Sequence, residues 1–128
     1  IQGVNPKPSV KIATVPMETL LKTSDFSTLH VPGGKVITKK EMELMKNGVI
    51  LVNAARGGVI DEKDLIEGLN SGKIAHAALD VFENEPTPDH AILTHPKISL
   101  TPHIGAATEE AQERIGIELA ELIISKLS

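Results

Sequence analysis

The chain has 128 residues, of which 41% are hydrophobic and 23% charged, and its formal net charge is -4. This length allows one domain with a modest hydrophobic core, and the negative charge, together with only 2% aromatic residues, argues against nucleic acid or an acidic membrane as a partner. Because cysteine is absent, disulfides and thiolate metal sites are excluded, and we expect a cytoplasmic protein.

Short apolar runs alternate along the chain with segments of helical character, an order typical of a parallel α/β sheet. Residues 1–10 contain two prolines and are predicted to form a loop. We predict about five strands, over residues 10–15, 26–31, 49–52, 74–82 and 98–100. Helices are predicted over residues 16–23, from 38 to 47, from 61 to 72, around 91–93, and from 108 onward.

Capping residues mark several helix ends. Thr38 and Glu41 have the spacing of a capping box, and Asp61 is a favourable N-cap residue. Residues 49–52 are continuously apolar, which predicts a strand covered by helices on both faces. The longest helix begins after Thr108 and carries an apolar stripe formed by Ala111, Ile115, Leu119, Leu122 and Ile123.

Loops that follow three predicted strands each carry one functional side chain, at the edge where open α/β sheets bind ligands. Arg56 offers a rigid donor fork for a carboxylate, and the adjacent Gly57-Gly58 lets backbone or ligand approach closely. His103 can exchange a proton near neutral pH, as a reaction at a C–OH group requires. Glu85 can accept the second imidazole N–H, although its spacing alone fits a solvated loop carboxylate slightly better. We therefore expect Arg56, Glu85 and His103 to share one active site.

Asp80 lies inside an apolar strand and needs a partner, either a protein donor or a ligand amide. The other histidines have less distinctive positions. We expect His76 to be a hydrogen-bonded core residue and His90 and His95 to face solvent, and the role of His30 stays open.

Other chemistries lack their motifs. Neither metal-ligand spacing nor a Gly-x-Ser-x-Gly nucleophile elbow occurs, so no metal is expected. The glycine pairs at 33–34 and 57–58 do not match a phosphate-binding loop, and we expect the pyrophosphate loop of any dinucleotide site to lie outside this chain.

Several blocks together resemble the D-2-hydroxyacid dehydrogenase family, in order and spacing, from about residue 17 to the end. The blocks are residues 29–32 (LHVP), 43–62 (ELMKNGVILVNAARGGVIDE), 77–86 (AALDVFENEP) and 101–106 (TPHIGA). The resemblance implies a Rossmann-like parallel sheet: residues 1–105 would be the C-terminal half of an NAD-binding domain, and residues 106–128 a helix returning to the substrate domain. It also implies NAD as cofactor, a small 2-hydroxy acid as substrate, and a homodimer or homotetramer.

The resemblance further implies residue roles. Arg56 would hold the substrate carboxylate and the oxygen at C2, while His103, oriented by Glu85, would move the hydroxyl proton. Asp80 would meet the nicotinamide carboxamide. The other predicted cofactor contacts, largely through backbone, are Val31, Pro32, Ala54, Ala55, Arg56, His103, Ile104, Gly105 and Ala106.

Two functions are open at this point: a dehydrogenase, or a dinucleotide-sensing binding module without catalysis. All three catalytic side chains are present, which favours the enzyme. Because the chain has no pyrophosphate loop, we expect these 128 residues to be inactive by themselves.

Overall fold

The computed structural model describes residues 11–127, so the loop predicted over residues 1–10 lies outside the described part of the chain. Helices and strands alternate within it, as predicted for an α/β fold. The helices are α1 (Met17–Thr23), α2 (Lys39–Leu44), α3 (Glu62–Ser71), α4 (His90–Leu93) and α5 (Glu109–Leu127). The strands are β1 (Phe26–Leu29), β2 (Val49–Asn53), β3 (Ile74–Leu79) and β4 (Ile98–Leu100).

The strands form one parallel sheet in which strand order follows chain order, β1-β2-β3-β4. Leu51 of β2 lies opposite Ser27 of β1 on one side and Ala77 of β3 on the other. Leu79 of β3 lies opposite Leu100 of β4. Since all four strands run in the same direction, their carboxyl ends share one edge of the sheet, and the predicted parallel α/β class is confirmed.

Some predicted strand limits were wrong. Residues 11–16 are irregular instead of forming a first strand, and Ile12 is 92% exposed because no strand in the described region pairs with this segment. The strands predicted to reach residues 31 and 82 end at Leu29 and Leu79. Just past Leu79, the Asp80 backbone N–H still donates to the Asn53 carbonyl at 2.9 Å. The chain then leaves the sheet, and residues 81–82 enter the core.

Helix α2 begins as predicted but ends early. The expected capping box is present: the Thr38 side chain accepts the Glu41 backbone N–H, and the Glu41 carboxylate accepts the Thr38 backbone N–H at 3.1 Å. The helix stops at Leu44 instead of near Asn47 because Met45 takes an extended backbone and buries its side chain, which is 3% exposed.

Helices α3 and α5 begin at the predicted caps. Asp61 accepts the Asp64 backbone N–H at 3.0 Å, and Gly72 ends α3 in the left-handed conformation with a φ of 78°. The Thr108 hydroxyl accepts the Ala111 backbone N–H at 3.2 Å at the start of α5.

The core lies on one face of the sheet. Side chains from α1 to α4 form a single cluster with alternate residues of β2 and β3, including Leu51 and Ala77. On the opposite face, Phe26 is 70% exposed, and Ile50 and His76 are only half-buried. The prediction that helices cover both faces of β2 is therefore wrong within residues 11–127, because the helices described there contribute only to the first face.

Helix α5 contributes nothing to this core. None of its described residues is buried, and the predicted stripe residues Ile115, Leu119 and Leu122 are 51%, 54% and 55% exposed. Among residues 11–127, no helix combines the length and the apolar character needed to cross a bilayer.

Candidate active site

The loops after β2, β3 and β4 carry Arg56, Glu85 and His103 at the carboxyl edge of the sheet. Glu85 Oε2 lies 2.6 Å from His103 Nδ1, so the structure brings these two residues together; we call them the dyad. The Arg56 guanidinium instead donates to the Ala55 carbonyl at 2.7 Å and contacts neither dyad residue through a hydrogen bond. A site shared by all three residues stays a prediction.

Both carboxylate oxygens of Glu85 accept hydrogen bonds. Oε2 faces His103, and Oε1 accepts the Phe82 backbone N–H at 2.9 Å. These bonds, that of His103 first, hold the pKa of Glu85 below its ordinary value, so the carboxylate is charged at neutral pH and Nδ1 of the imidazole must donate. The His103 side chain is 50% exposed, and its Nε2 has no hydrogen-bond partner among the described residues. This nitrogen is therefore available to exchange a proton with a ligand.

Asp80 fixes the loop that carries His103. The His103 backbone is left-handed, with a φ of 56°, which is unfavourable for a residue with a side chain. Oδ1 of Asp80 accepts the Thr101 hydroxyl at 2.5 Å and the Ile104 N–H at 3.0 Å, and Oδ2 accepts the Gly105 N–H at 2.8 Å. Because these donors flank His103 on both sides, Asp80 restrains the strained backbone between them.

Protein donors thus satisfy Asp80, one of the two alternatives left open by the sequence. Burial raises the pKa of this carboxyl, but the hydrogen bonds from Thr101, Ile104 and Gly105 together lower it by more than burial raises it. The pKa of Asp80 therefore lies below its ordinary value. A carboxylate has about four lone-pair positions, so one acceptor position is left for a ligand amide. The contact between Asp80 and a nicotinamide carboxamide stays a prediction.

Asn53, which sequence reasoning did not single out, organises the Arg56 loop. Its side chain is 3% exposed, and Nδ2 donates to the Arg56 carbonyl at 3.0 Å. Oδ1 accepts the Ala55 N–H at 3.1 Å. The available signal was a polar residue at the end of an apolar strand, the same signal that identified Asp80.

The Arg56 loop packs directly on the Glu85 loop at Gly57. A Cβ atom added to Gly57 would lie 1.8 Å from the Phe82 carbonyl oxygen and 2.5 Å from its carbonyl carbon. The close approach predicted for the glycine pair is therefore confirmed, and the neighbour is backbone. This contact fixes the spacing between the arginine loop and the peptide whose N–H binds Glu85.

A cavity of about 520 Å³ opens beside the dyad. Its other walls are mostly apolar and consist of Phe82, Pro86, Pro88, Leu93, Leu100, Thr101 and Pro102. Apolar walls reduce the water around the half-exposed imidazole and strengthen its interaction with Glu85.

A smaller hollow of about 180 Å³ lies where β2, β3 and β4 end, and two of the predicted cofactor residues, Ala54 and Asp80, line it. Small apolar side chains with one carboxylate at the rim suit a flat ring that bears an amide, so these residues fit a nicotinamide. Ala55 is buried and Val31 half-buried. The remaining predicted cofactor residues are exposed: Pro32, Arg56, His103, Ile104, Gly105 and Ala106.

The other histidines lie outside this edge or play no part in the dyad. The expectation that His76 lies in the core was wrong, because it is half-buried on the uncovered face of the sheet. It is hydrogen-bonded as expected, with Nε2 3.1 Å from Ser99 Oγ. His90 is exposed as predicted, whereas His95 is half-buried, and His30 Nε2 lies 3.0 Å from Thr28 Oγ1. Within residues 11–127, no group of three or more potential ligands is arranged to hold a metal ion.

Residues 2–105 match the family model described as the NAD binding domain of D-isomer specific 2-hydroxyacid dehydrogenases. The hydroxypyruvate reductase of Thermotoga maritima is 46% identical over 95% of this chain and 42% of its own length. The D-3-phosphoglycerate dehydrogenase of Archaeoglobus fulgidus is 47% identical over 91% of this chain and 23% of its own length. The chain thus spans less than half the length of these relatives.

Solved structures give the same picture. A glyoxylate reductase from Paecilomyes thermophila superposes with a TM-score of 0.74 at 42% identity, covering 80% of this chain and 33% of that one. An NADPH-dependent glyoxylate/hydroxypyruvate reductase from Sinorhizobium meliloti, in complex with NADP and malonate, has a TM-score of 0.68 at 34% identity, covering 73% and 30%. The predicted nucleotide-binding fold is therefore confirmed.

Proposed function

The chain belongs to the D-isomer specific 2-hydroxyacid dehydrogenases, and from this premise we propose that the full-length protein transfers a hydride between a 2-hydroxy acid and a nicotinamide cofactor. The observation that carries the proposal is the 2.6 Å contact between Glu85 Oε2 and His103 Nδ1, which leaves Nε2 available. When bound, the cofactor supplies the hydride acceptor or donor. The chain itself would handle the proton and the carboxylate.

In the oxidation direction, His103 Nε2 removes the proton of the C2 hydroxyl while the C2–H electron pair leaves as hydride. The O–H and C–H bonds of the substrate would break and its C2 carbonyl would form, and a bound cofactor would supply the acceptor for the hydride. The imidazolium that results lies against the Glu85 carboxylate, which stabilises its charge and keeps its orientation. In reduction the same nitrogen returns the proton. General acid–base help of this kind contributes about 10²–10⁴-fold in rate.

Arg56 would hold the substrate carboxylate. Its guanidinium donates one hydrogen bond, to the Ala55 carbonyl, and the side chain is otherwise exposed. A guanidinium has five N–H donors in a planar fork, so donors are left for two parallel bonds to a carboxylate. Asp80 and Ala54, which line the hollow at the strand ends, would receive the nicotinamide amide and ring.

For the substrate, we propose 3-phosphoglycerate, oxidised to 3-phosphohydroxypyruvate as in L-serine synthesis. Relatives named D-3-phosphoglycerate dehydrogenase support it, among them the Archaeoglobus fulgidus protein, and so does the continuation EEAQ at residues 109–112. The alternative is hydroxypyruvate or glyoxylate, the compounds in the names of the Thermotoga maritima and Paecilomyes thermophila proteins.

We also propose that residues 1–105 belong to the cofactor domain and that residues 106–128 cross to a substrate domain in a homodimer or homotetramer. The exposed apolar residues of α5 support this division, because a helix with such a surface needs further packing.

The test uses the purified full-length protein and follows NADH or NADPH oxidation with 3-phosphohydroxypyruvate, hydroxypyruvate and glyoxylate. We expect kcat/KM to be highest for the phosphorylated acid with NADH. The variant His103→Asn, whose side chain tolerates the left-handed backbone, is expected to lower kcat by about 10²–10⁴-fold while the Kd for NADH stays within about twofold. His90→Asn, at an exposed histidine away from the dyad, is the matched control.

Two outcomes would count against this function. Binding of NADH without turnover of any of the three acids would identify a dinucleotide-binding module. Near-parental turnover by His103→Asn would remove the proton-transfer role from the dyad.

A further inference from the structure

Glu62, at the start of α3, is a buried carboxylate without a cation. Glu62 is 8% exposed, and it forms no ion pair with any of the residues that the structure describes. Burial, followed by the nearby charges of Glu83, Asp89 and Asp61, raises the pKa of this carboxyl, against the opposing hydrogen bond from Glu83. Burying an unpaired carboxylate is unfavourable, so the position needs an explanation beyond helix capping.

The contacts of Glu62 lead to the Glu85 loop. Its Oε1 accepts the Glu83 backbone N–H at 2.8 Å, and the Glu62 backbone N–H in turn points to Glu83 Oε1 at 3.4 Å. This reciprocal pair joins the start of α3, which follows the loop that carries Arg56, to the loop after β3, which carries Glu85.

The same peptides reach the dyad in two more steps. Glu83 follows Phe82, whose carbonyl is pressed against Gly57 and whose N–H donates to Glu85 Oε1 at 2.9 Å. Glu85 then holds His103 through Oε2 at 2.6 Å. A shift of the Glu83 peptide therefore moves the donor that orients the Glu85 carboxylate.

We propose that Glu62 is a positioning residue, which holds the Glu83 peptide and thereby sets the Glu85 carboxylate against His103. This inference rests on the proposed dehydrogenase function for its kinetic readout. A purely structural carboxylate at the positive end of α3 would act on folding alone. The two roles separate when the hydrogen-bond acceptor is removed and the side-chain volume is kept.

The experiment compares Glu62→Gln with Glu62→Met in the full-length protein. Glutamine keeps an oxygen acceptor for the Glu83 N–H, whereas methionine fills similar space without one. The readouts are kcat at saturating 2-oxo acid, the Kd for NADH, the thermal midpoint, and the titration midpoint of the Glu85 carboxyl carbon by NMR. The matched control is Glu67→Met, which removes an exposed carboxylate from the same helix.

We expect Glu62→Met to lower kcat by about 10- to 100-fold, since misplacement on the order of 1 Å has effects of that size, with an unchanged Kd for NADH. The titration midpoint of Glu85 should rise toward its ordinary value, because the Phe82 hydrogen bond that lowers it is weakened. The titratable groups that also act on the pKa of Glu85 are His103, which lowers it, and Asp80, which raises it. Glu62→Gln and the Glu67→Met control should keep the wild-type kcat and the wild-type titration midpoint of Glu85.

Equal kcat and equal Glu85 midpoints in the Gln and Met variants would overturn the proposal, as would a loss confined to the thermal midpoint. If the methionine variant does not fold, Glu62→Asp carries the test, because its carboxylate stops one methylene short of the Glu83 N–H; parental values in that variant would equally overturn it. The NMR titration needs no turnover. A wild-type protein that reduces no 2-oxo acid, with a raised Glu85 midpoint in Glu62→Met, would refute the dehydrogenase and leave the positioning role standing.

Discussion

Replacing Gly57 with alanine is expected to push the arginine loop away from the Glu85 loop. The added methyl would lie 1.8 Å from the Phe82 carbonyl oxygen, and ordinary contact begins at 3.4 Å, so the two backbones must separate by about 1.6 Å. Both partners are main-chain atoms, so no rotamer change relieves the overlap. The movement displaces Arg56 relative to the dyad and strains the peptide that donates to Glu85.

The magnitude follows from this displacement. Errors of about 1 Å in the placement of catalytic groups reduce rates by about 10²-fold, so kcat/KM for the 2-oxo acid should fall by at least that factor. Forcing an extra methyl into a packed contact also destabilises proteins by about 1–3 kcal/mol. The assay is steady-state kinetics of the full-length protein well below its thermal midpoint, together with urea unfolding.

The matched control is Lys40→Ala in α2, at an exposed residue outside the loops that carry Arg56, Glu85 and His103. Alanine and lysine have similar helix propensities, so this variant should keep its kinetics and its stability. A Gly57→Ala protein with kcat/KM within about twofold of wild type and an unchanged unfolding midpoint would show that loop spacing does not control the site.

Three further predictions concern buried or ligand-binding charges. Asp80→Asn replaces an acceptor oxygen with a donor NH₂ beside N–H groups that need an acceptor, and should lower the free energy of unfolding by about 1–3 kcal/mol in urea titrations. Because the pKa of Asp80 is lowered in the fold, the stability difference between this variant and the wild type should have its full size above the unfolded pKa of 3.8. The difference should shrink as the pH falls through the folded pKa. Glu62→Gln should raise the thermal midpoint near pH 7, because the pKa of Glu62 is raised and its ionised form is disfavoured; the gain should vanish below the unfolded value of 4.5, and a gain that persists there would contradict this cause. Arg56→Lys removes the planar fork and should raise KM for the acid by about tenfold with little change in the Kd for NADH, whereas an unchanged KM would exclude a bidentate grip.

Local signals predicted much of the fold. The starts of α2, α3 and α5 follow from Thr38, Asp61 and Thr108, because a capping bond joins residues only three positions apart. The central strands follow from apolar runs. The strand expected over residues 10–15 failed because a strand exists only where a neighbour pairs with it, and composition does not report that neighbour.

The site was predictable where the type of a side chain and its place after a strand were enough to indicate a role. Glu85 and His103, which follow two different strands, form a hydrogen bond as expected. Asn53 and Glu62 were missed, because their roles lie in hydrogen bonds to peptides that are distant in sequence. The left-handed backbone of His103 could not be predicted from the sequence either, since it depends on the three hydrogen bonds that Asp80 accepts from residues on both sides of His103.

The agreement between strand order and chain order has a consequence for how the site is assembled. Every ladder in the sheet joins segments about 21 to 26 residues apart, so the sheet can grow one crossover at a time as the chain leaves the ribosome. The loop of His103 follows β4, the three-residue strand at the growing edge. Proton-transfer competence would therefore arrive last in folding and be the first property lost when that edge frays, and amide exchange in β4 should be faster than in β2.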